Sequence, residues 1–402
     1  MNNTIEVPKF FNKNLFLLIL CQGLYLTNNV TFIAVNGLVG MSLTPIPWMA
    51  TLPLMAYVVG AALATSLVAK VQNHFGRKTS FQIALAVASG STGLCAYAAY
   101  SQNFWLLALG TAIAGYYSAN GLLYRFVAPE LTHSSFRERA VSLVLAGGVI
   151  GAVVGPNMTN WTKNLFSTPF LGPYLVLSFA GLLGIFIMHF IDFPKEVKTD
   201  KNTNTGRSVK EIICQPVFVV VLICSALGYG VMNLLMAGTP LAMEICKFPF
   251  SDTAIVLEWH VIGMFAPGFF TGNLIKKFGS QMMMGIGVFL FFVSIGILQL
   301  GSGFYHFLFA LALLGIGWNF VFTAATTLAI TTYRPEEKNK AQAIVNFFVF
   351  GTMAFSSIGS GAIIISGGWN ILTLGSLIPA TVMALALVYL YFHQRKNVPV
   401  IA

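Results

Sequence analysis

Two ionisable residues interrupt an otherwise apolar run from Ala254 to Ile275. They are Glu258 and His260, in the stretch VLEWHVIG. A carboxyl group whose surroundings alternate between dry and hydrated changes its affinity for protons, and an imidazole titrates at about pH 6.5. Each residue is therefore a candidate carrier of a coupling proton. Residues two apart on a helix point about 200° apart, so the two side chains cannot form one compact dyad.

The predicted depth of these residues leaves a structural alternative open. Counted from Asp252 in a predicted outer loop, Glu258 lies roughly 9 Å along the helix, well short of the middle of a layer about 30 Å thick. Trp259 beside it suits the aromatic belt at a membrane interface. The same two residues would also be expected if Glu258 were an interfacial acid and His260 packed between helices. Of the twelve Asp and Glu residues, Glu258 alone is predicted to lie within the membrane, away from the cytoplasmic segments and the outer ends of the spans.

Membrane-spanning helices are the elements that must position these residues. Of the 402 residues, 56% are hydrophobic and 8% are charged, whereas an ordinary soluble chain has about 25% charged residues. A helix needs about 20 apolar residues to cross the hydrocarbon layer. The sequence predicts an all-α membrane protein with twelve such helices, at 14–38, 46–69, 80–100, 103–127, 139–159, 171–192, 214–238, 253–275, 281–301, 304–330, 341–366 and 369–393.

Lysine and arginine are distributed unevenly among the predicted loops. With both termini placed in the cytoplasm, only Lys163 and Lys247 of the 22 basic residues fall on the outer side. This positive-inside bias supports an even number of spans and predicts a multi-pass membrane protein with both termini in the cytoplasm. Contact with anionic lipid headgroups accounts for the net charge of +10, so membrane lipid is an expected partner and nucleic acid is not.

The two halves of the chain repeat each other. Gly76 in HFGRK and Gly279 in KFGSQ are 279 − 76 = 203 residues apart, and Arg137 in RERA and Lys338 in KNKA are 201 apart. Two matched landmarks at nearly one period indicate an internal duplication. We predict two pseudo-symmetric six-helix bundles, at 1–194 and 214–402, joined by a cytoplasmic linker at 195–213. Parallel repeats of this kind are typical of transporters with a solute site at mid-membrane.

The segment AKVQNHFGRK resembles the signature G-x-x-x-D-[RK]-x-G-[RK]-[RK] of the major facilitator superfamily. Gly76, Arg77 and Lys78 match it, whereas Asn73 replaces the acid. In that family the acid belongs to a charge network that latches the outward-facing state, so the resemblance implies a latch that is weakened or rebuilt with other partners. It also implies the major facilitator fold and transport by alternating access. Through the bacterial branch of the family, it implies the bacterial cytoplasmic (inner) membrane. The copy after span eight keeps Gly272, Lys277 and Gly279.

A second segment, GGVIGAVVGP, resembles the G-x-x-x-G-P motif of the superfamily's antiporters. Gly151, Gly155 and Pro156 match, but Thr159 and Asn160 stand where that motif has a glycine pair. The same residues would also be expected from close helix packing at the glycines and a bend at the proline. On this motif alone, export by antiport is slightly favoured over uptake.

Polar and aromatic residues gather in the spans that line the central cavity in this superfamily, namely the first, fourth, seventh and tenth. Amides and phenols offer hydrogen bonds without charge, which predicts a neutral or amphiphilic organic solute with aromatic character. Hydrogen bonding from helix to helix is the alternative for each residue. The candidates are Gln22, Asn28, Asn29, Tyr116, Tyr117, Asn120, Tyr124, Tyr229, Asn233, Trp318 and Asn319, with Asn346 in span eleven.

Several function classes are disfavoured by the sequence. It has no G-x-x-x-x-G-K-[ST] phosphate loop for ATP, no H-E-x-x-H and no nucleophile elbow, and its five cysteines have no zinc-type spacing. We therefore expect no enzyme, cofactor or metal site. The leading prediction is a monomeric, proton-coupled secondary transporter of a small-molecule solute. An importer of a nutrient, vitamin or metal chelate, and a non-transporting receptor or scaffold on a transporter fold, are the alternatives.

Overall fold

The computed structural model describes residues 12–133, 137–193 and 206–396. Within these ranges the secondary structure is helical, with no strand. The helices are α1 (Lys13–Leu43), α2 (Leu52–Phe75), α3 (Arg77–Tyr100), α4 (Phe104–Gly121), α5 (Tyr124–Val127), α6 (Arg137–Thr162), α7 (Leu171–His189), α8 (Val209–Ile213), α9 (Pro216–Ile245), α10 (Phe250–Phe265), α11 (Gly268–Phe278), α12 (Ser280–Leu300), α13 (Phe304–Ala329), α14 (Lys338–Gly375) and α15 (Leu377–Lys396).

The predicted twelve-helix membrane fold is confirmed. In the described part of the chain, ten segments are long and apolar enough to cross a membrane, and the bent pair α10 and α11 forms an eleventh. One of the ten, Lys340–Arg395, has 56 residues, which would extend about 84 Å as one helix. It is broken at Gly368, where φ is 80° and ψ is 174°. Counted as two, it brings the total to 10 + 1 + 1 = 12 spans.

The eighth span differs from the continuous helix predicted at 253–275. It is broken between α10 and α11, whose axes differ by 44°. The break coincides with Pro267, which carries no backbone N–H and whose ring crowds the preceding turn of a helix. The proline therefore bends this span between the residues predicted to carry protons and the second copy of the signature.

The two signature glycines adopt the same turn. Gly76 joins α2 to α3 with φ 79° and ψ 165°, and Gly279 joins α11 to α12 with φ 81° and ψ 156°. The Gly76 amide donates to the Gln72 carbonyl and the Gly279 amide to the Ile275 carbonyl, both at 2.8 Å. This backbone conformation is almost restricted to glycine. The matched geometry 203 residues apart supports the internal duplication.

Contacts between residues divide the chain into two compact units. Unit 1 comprises Met1–Thr31 and Gly60–Lys198, and unit 2 comprises Phe32–Val59 and Thr199–Ala402. In unit 1, α3 packs against α4 and α7; in unit 2, α13 packs against α10 and α12, and α9 against α14. The division of the chain at the linker into residues 1–194 and 214–402 stays a prediction.

Candidate functional site

The two candidate proton carriers have different surroundings on α10. His260 is fully buried, and its Nδ1 lies 2.7 Å from the carbonyl oxygen of Leu311 on α13. A carbonyl can only accept, so Nδ1 carries the hydrogen and donates. Nε2 is buried without a partner among the described residues. Glu258 is half-buried, and Trp259, next to both, is 52% exposed.

Close packing of α10 on α13 explains the histidine contact. A Cβ added to Gly315 would lie 2.3 Å from the His260 carbonyl oxygen, and one added to Gly263 would lie 2.6 Å from that of Ala312. Glycines at a helix contact let two backbones approach closely. The imidazole of His260 consequently reaches a carbonyl on the neighbouring helix directly.

Two of the three predicted asparagines of unit 2, Asn233 and Asn319, are bonded to neighbouring helices. The Asn319 amide nitrogen donates to the Met264 carbonyl at 2.7 Å, and its oxygen accepts from the Thr271 hydroxyl at 2.7 Å. The Asn233 amide nitrogen lies 2.8 Å from the Ser356 hydroxyl and 2.9 Å from that of Ser357. These contacts follow the structural alternative left open by the sequence, and a role in solute binding stays a prediction for both residues.

Aromatic rings of α9, α10 and α13 form a cluster in unit 2. The Tyr229 ring meets those of Trp318 and Phe322 edge-on, with centroids 5.0 and 4.9 Å apart. Trp318 and Phe322 stack nearly parallel, with centroids 5.4 Å apart, and Phe265 lies 6.4 Å from Trp318. Trp318 is buried, and its Nε1 has no partner among the described residues. The rings of Tyr229, Phe265 and Phe322 are half-buried. We refer to these four residues as the aromatic cluster.

Unit 1 holds buried polar atoms without partners in the described chain. They include the side-chain oxygens of Gln22 and Asn28 on α1, together with the hydroxyls of Tyr116 and Tyr124. Gln22 and Asn28 are only 4% and 3% exposed. A buried polar atom without a hydrogen bond costs free energy, so such atoms mark places where water or a ligand is needed.

Tyr25 fixes the aromatic residues around these atoms. Its ring meets Tyr117 and Tyr124 edge-on, with centroids 5.8 and 6.4 Å apart. Gly121 makes room for it, because a Cβ there would lie 2.2 Å from the Tyr25 ring.

The other three predicted cavity residues have different environments. The Asn120 oxygen accepts from the Ser80 hydroxyl at 3.1 Å, and its nitrogen donates to the Tyr116 carbonyl at 3.0 Å. Asn29 is half-buried on α1, and Asn346 is exposed on α14. A role in solute binding stays a prediction for all three.

The signature residues of unit 1 pair with groups that sequence reasoning did not assign. Arg77 forms an ion pair with Glu130, and Lys78 Nζ donates to the His189 carbonyl at 2.6 Å. Asn73, at the position of the family's acid, is exposed. A carboxylate 53 residues away along the chain thus pairs with the signature arginine. In the second copy, Lys277 Nζ lies 5.1 Å from the centre of the Phe278 ring, and Gly272 faces open space.

The G-x-x-x-G-P segment packs α6 against α1. A Cβ on Gly151 would lie 2.5 Å from the Thr27 backbone nitrogen, and one on Gly155 would lie 3.2 Å from the Thr27 carbonyl oxygen. Pro156 is buried within α6. Helix packing therefore accounts for the glycines without any assumption about the direction of transport.

A buried ion pair in unit 2 escaped the sequence analysis. Glu337 is fully buried, accepts from the Arg207 guanidinium at 2.7 Å and from the Arg334 backbone nitrogen at 3.0 Å. The Arg207 side chain also donates to the Thr332 carbonyl. Hydrogen bonding from Arg207, and then from the Arg334 backbone, holds the pKa of Glu337 well below its usual range. The consecutive acidic residues before span eleven were a sign in the sequence that a charged contact could form there. No sequence pattern indicates that the partner of Glu337 lies 130 residues away.

No group of three or more His, Cys, Asp or Glu residues within the described ranges is arranged to hold a metal ion.

Known proteins resemble this chain over most of its length. The riboflavin transporter RfnT of Brucella anthropi is 34% identical over 361 residues, which cover 89% of this chain and 90% of that protein. The uncharacterized MFS-type transporter YddS of Bacillus subtilis is 24% identical over 383 residues, covering 91% of this chain and 87% of that protein.

Solved structures share the fold. The nucleoside transporter NupG superposes with a TM-score of 0.77 at 13% identity, covering 94% of this chain and 99% of that one. A bacterial homolog of the human lysosomal transporter Spinster gives 0.70 at 12% identity, covering 95% and 96%. The family model described as Major Facilitator Superfamily matches residues 15–265 and 254–400. The chain belongs to the Major Facilitator Superfamily of membrane transporters.

Proposed function

We propose that this protein is a secondary active transporter that takes up a small, neutral, planar heteroaromatic solute of the riboflavin type. The observation that carries the proposal is the aromatic cluster of unit 2, with half-buried rings around the unpartnered Nε1 of Trp318. Stacking of a planar ring on aromatic side chains is worth about 1–3 kcal/mol. The 34% identity to a riboflavin transporter supports the same class of solute.

The chemistry of riboflavin matches the groups that the aromatic cluster offers. Its tricyclic ring has flat faces that stack, and ring carbonyl and nitrogen atoms that accept a hydrogen bond from an indole N–H. Its ribityl chain carries hydroxyls, which both donate and accept hydrogen bonds. A sugar lacks the flat ring, and an inorganic ion lacks both the ring and the hydroxyls. Neither can therefore make the same contacts with the aromatic cluster.

Uptake is the proposed direction because a riboflavin-type solute fits the import of a vitamin, and packing against α1 accounts for the glycines of the G-x-x-x-G-P segment without antiport. Export by antiport is the second candidate, favoured by the resemblance of Gly151, Gly155 and Pro156 to the antiporter motif. Vesicles of known orientation with an imposed pH gradient separate the two. Uptake predicts accumulation when protons flow inward with the solute, whereas antiport predicts accumulation when they flow outward.

Glu258 is the proposed carrier of the coupling proton, and His260 the second candidate. Both lie on α10, which reaches the aromatic cluster through Phe265 at its last residue. The alternative for His260 is a packing role, which its bond to the Leu311 carbonyl fulfils.

The direct test of function is saturable uptake of radiolabelled riboflavin into proteoliposomes. Lumichrome, which keeps the tricyclic ring without the ribityl chain, should compete, and ribitol, which keeps the chain alone, should compete weakly. Trp318→Ala should reduce uptake, while Trp105→Ala, which removes a 60% exposed ring of α4, serves as the matched control. Riboflavin binding without flux would indicate a receptor instead, and neither binding nor flux would reject the proposed solute.

The coupling role of Glu258 is tested separately with a pH-sensitive dye trapped inside the vesicles. Glu258→Gln should abolish riboflavin-driven proton movement, and Glu244→Gln, an exposed acid on α9, should leave it intact. Unchanged proton movement in Glu258→Gln would reject that role. The same measurement on His260→Gln decides between its two roles.

A further inference from the structure

We infer that Asn319 is a positioning residue that couples the aromatic cluster to the break in span eight. The inference rests on the proposed function only in taking the cluster as the solute-binding site. The bonds that carry it lie within unit 2, between α13 and the two pieces of span eight.

The first side of the break needs a hydrogen-bond donor. α10 ends at Phe265, Pro267 follows, and α11 begins at Gly268. In a continuous helix the Met264 carbonyl would accept from the amide four residues later, at Gly268. Here it accepts from the Asn319 amide nitrogen at 2.7 Å. A backbone carbonyl freed inside the membrane must be satisfied by another group, and Asn319 provides it.

The second side of the break is held by the other end of the same amide. The Thr271 hydroxyl shares its single hydrogen between two acceptors, the Asn319 oxygen at 2.7 Å and the Pro267 carbonyl oxygen at 2.8 Å. Both Thr271 and Asn319 are buried. One side chain on α13 therefore bonds α10 before the break and α11 after it. A change in the 44° bend has to lengthen at least one of these two bonds.

The same turn of α13 carries the aromatic cluster. Trp318 precedes Asn319, and its ring lies 6.4 Å from that of Phe265, the last residue of α10. A solute that stacks on the cluster and shifts the Trp318 ring therefore acts on the two contacts that hold the end of α10. A ligand shifts a conformational equilibrium only by binding two states differently, and this shared turn supplies such a difference. α10 also carries Glu258, so the bend links the solute-binding cluster to the proposed proton carrier.

A purely structural role is the alternative, in which Asn319 only satisfies the backbone at the break. The two roles differ in what Asn319→Ala changes. In the proposed role, maximal riboflavin flux falls about tenfold or more, as expected from loss of interhelical hydrogen bonds, while the Kd of riboflavin changes little. Thr271→Val should lower flux in the same way, and Thr271→Ser, which keeps the hydroxyl, should restore it.

The double variant Asn319→Ala/Pro267→Ala separates stability from transport. Replacing Pro267 restores a backbone N–H and lets span eight satisfy its own carbonyls. The proposed role predicts that thermal stability recovers and flux does not, because the bend itself is lost. Recovery of both would show a structural role and overturn the inference. Equal loss of binding and flux in Asn319→Ala would overturn it too.

A measurement without solute distinguishes failure of this inference from failure of the proposed function. Hydrogen–deuterium exchange of residues 262–272 should speed up in Asn319→Ala and stay unchanged in Trp105→Ala. Faster exchange in a protein that does not move riboflavin would reject the proposed solute and leave the positioning role supported. Unchanged exchange in Asn319→Ala would reject the positioning role whether or not riboflavin is transported.

Discussion

Unit 1 and unit 2 use the same kinds of buried polar residue in different ways. In unit 2, Asn233 and Asn319 are bonded to neighbouring helices, and Nε1 of Trp318 is among the buried atoms without a partner in the described chain. In unit 1, the oxygens of Gln22 and Asn28 are buried without partners in the described chain. Of these four amides, the two in unit 1 leave an acceptor oxygen without a hydrogen bond, whereas the two in unit 2 serve helix packing beside the aromatic cluster.

The ion pairs of the two units differ in a parallel way. Arg77 and Glu130 in unit 1 are both partly exposed, at 29% and 41%. Glu337 in unit 2 is fully buried beside Arg207 and receives additional backbone hydrogen bonds. An exposed ion pair contributes little to stability, whereas removing one member of a buried pair leaves an uncompensated polar group. Of the two ion pairs, the one in unit 2 is thus the more deeply buried and the more extensively hydrogen-bonded.

The largest expected effect comes from disturbing the helix that presents the unit 1 acceptors. Gly151→Leu places a side chain where even a Cβ would lie 2.5 Å from the Thr27 backbone, and it should lower stability by about 3 kcal/mol or more. Riboflavin uptake should be lost with it. Gly285→Leu, at a glycine with open space around its Cβ, is the matched control. Normal folding and uptake in Gly151→Leu would show that α1 is not held there. Thermal unfolding in detergent gives the readout.

The ion-pair contrast is tested by Glu337→Gln and Glu130→Gln. The first variant should unfold at a clearly lower temperature at pH 7, and the second should change little. Because the folded-state pKa of Glu337 is lowered, its unfolded state binds protons more readily, and its stabilising effect is lost as pH falls below about 4.3. The gap in unfolding temperature between wild type and Glu337→Gln should therefore be constant from pH 7 to about pH 5 and narrow below that. A gap that widens on acidification would contradict the assignment.

The amide contrast is tested by replacing one asparagine in each unit. Asn233→Leu removes bonds to two serine hydroxyls and should lower stability by about 1–2 kcal/mol. Asn28→Leu removes an oxygen without a partner in the described chain, so it should cost less stability. Equal losses of stability in the two variants would remove the distinction between the units.

The smallest expected effect concerns the acceptors of unit 1 alone. Gln22→Leu removes a buried side-chain oxygen that has no partner in the described chain, so it should leave the unfolding temperature nearly unchanged. A clearly lower unfolding temperature would show that this oxygen is hydrogen-bonded in the folded protein.

The sequence was sufficient for features that depend on local composition. The twelve apolar runs and the Gly76 and Gly279 turns follow from hydropathy and from a backbone conformation that glycine alone adopts readily. The order of the spans and the duplication were therefore predictable. The bend at Pro267 was not predicted: the proline is a signal for a bend in the sequence, but span eight was read as one continuous helix.

Contacts between distant segments were not predictable from one sequence. Asn120 and Asn28 are both amides in apolar helices, and only the neighbouring helix decides that Asn120 is bonded to Ser80. Glu130 was recognised as an acid, but its pairing with Arg77 depends on how the ends of two helices meet. Residue type gives the capacity for hydrogen bonding, and the packing of helices decides which partner is used.

The most direct test of the central claim is riboflavin binding to the purified protein, followed by quenching of flavin fluorescence. We predict saturable quenching in wild type, a Kd raised about tenfold or more in Trp318→Ala by loss of ring stacking, and a Kd closer to that of wild type in Trp318→Phe. Trp105→Ala should bind as wild type does. Unaltered riboflavin affinity in Trp318→Ala would contradict the claim that the aromatic cluster binds the solute.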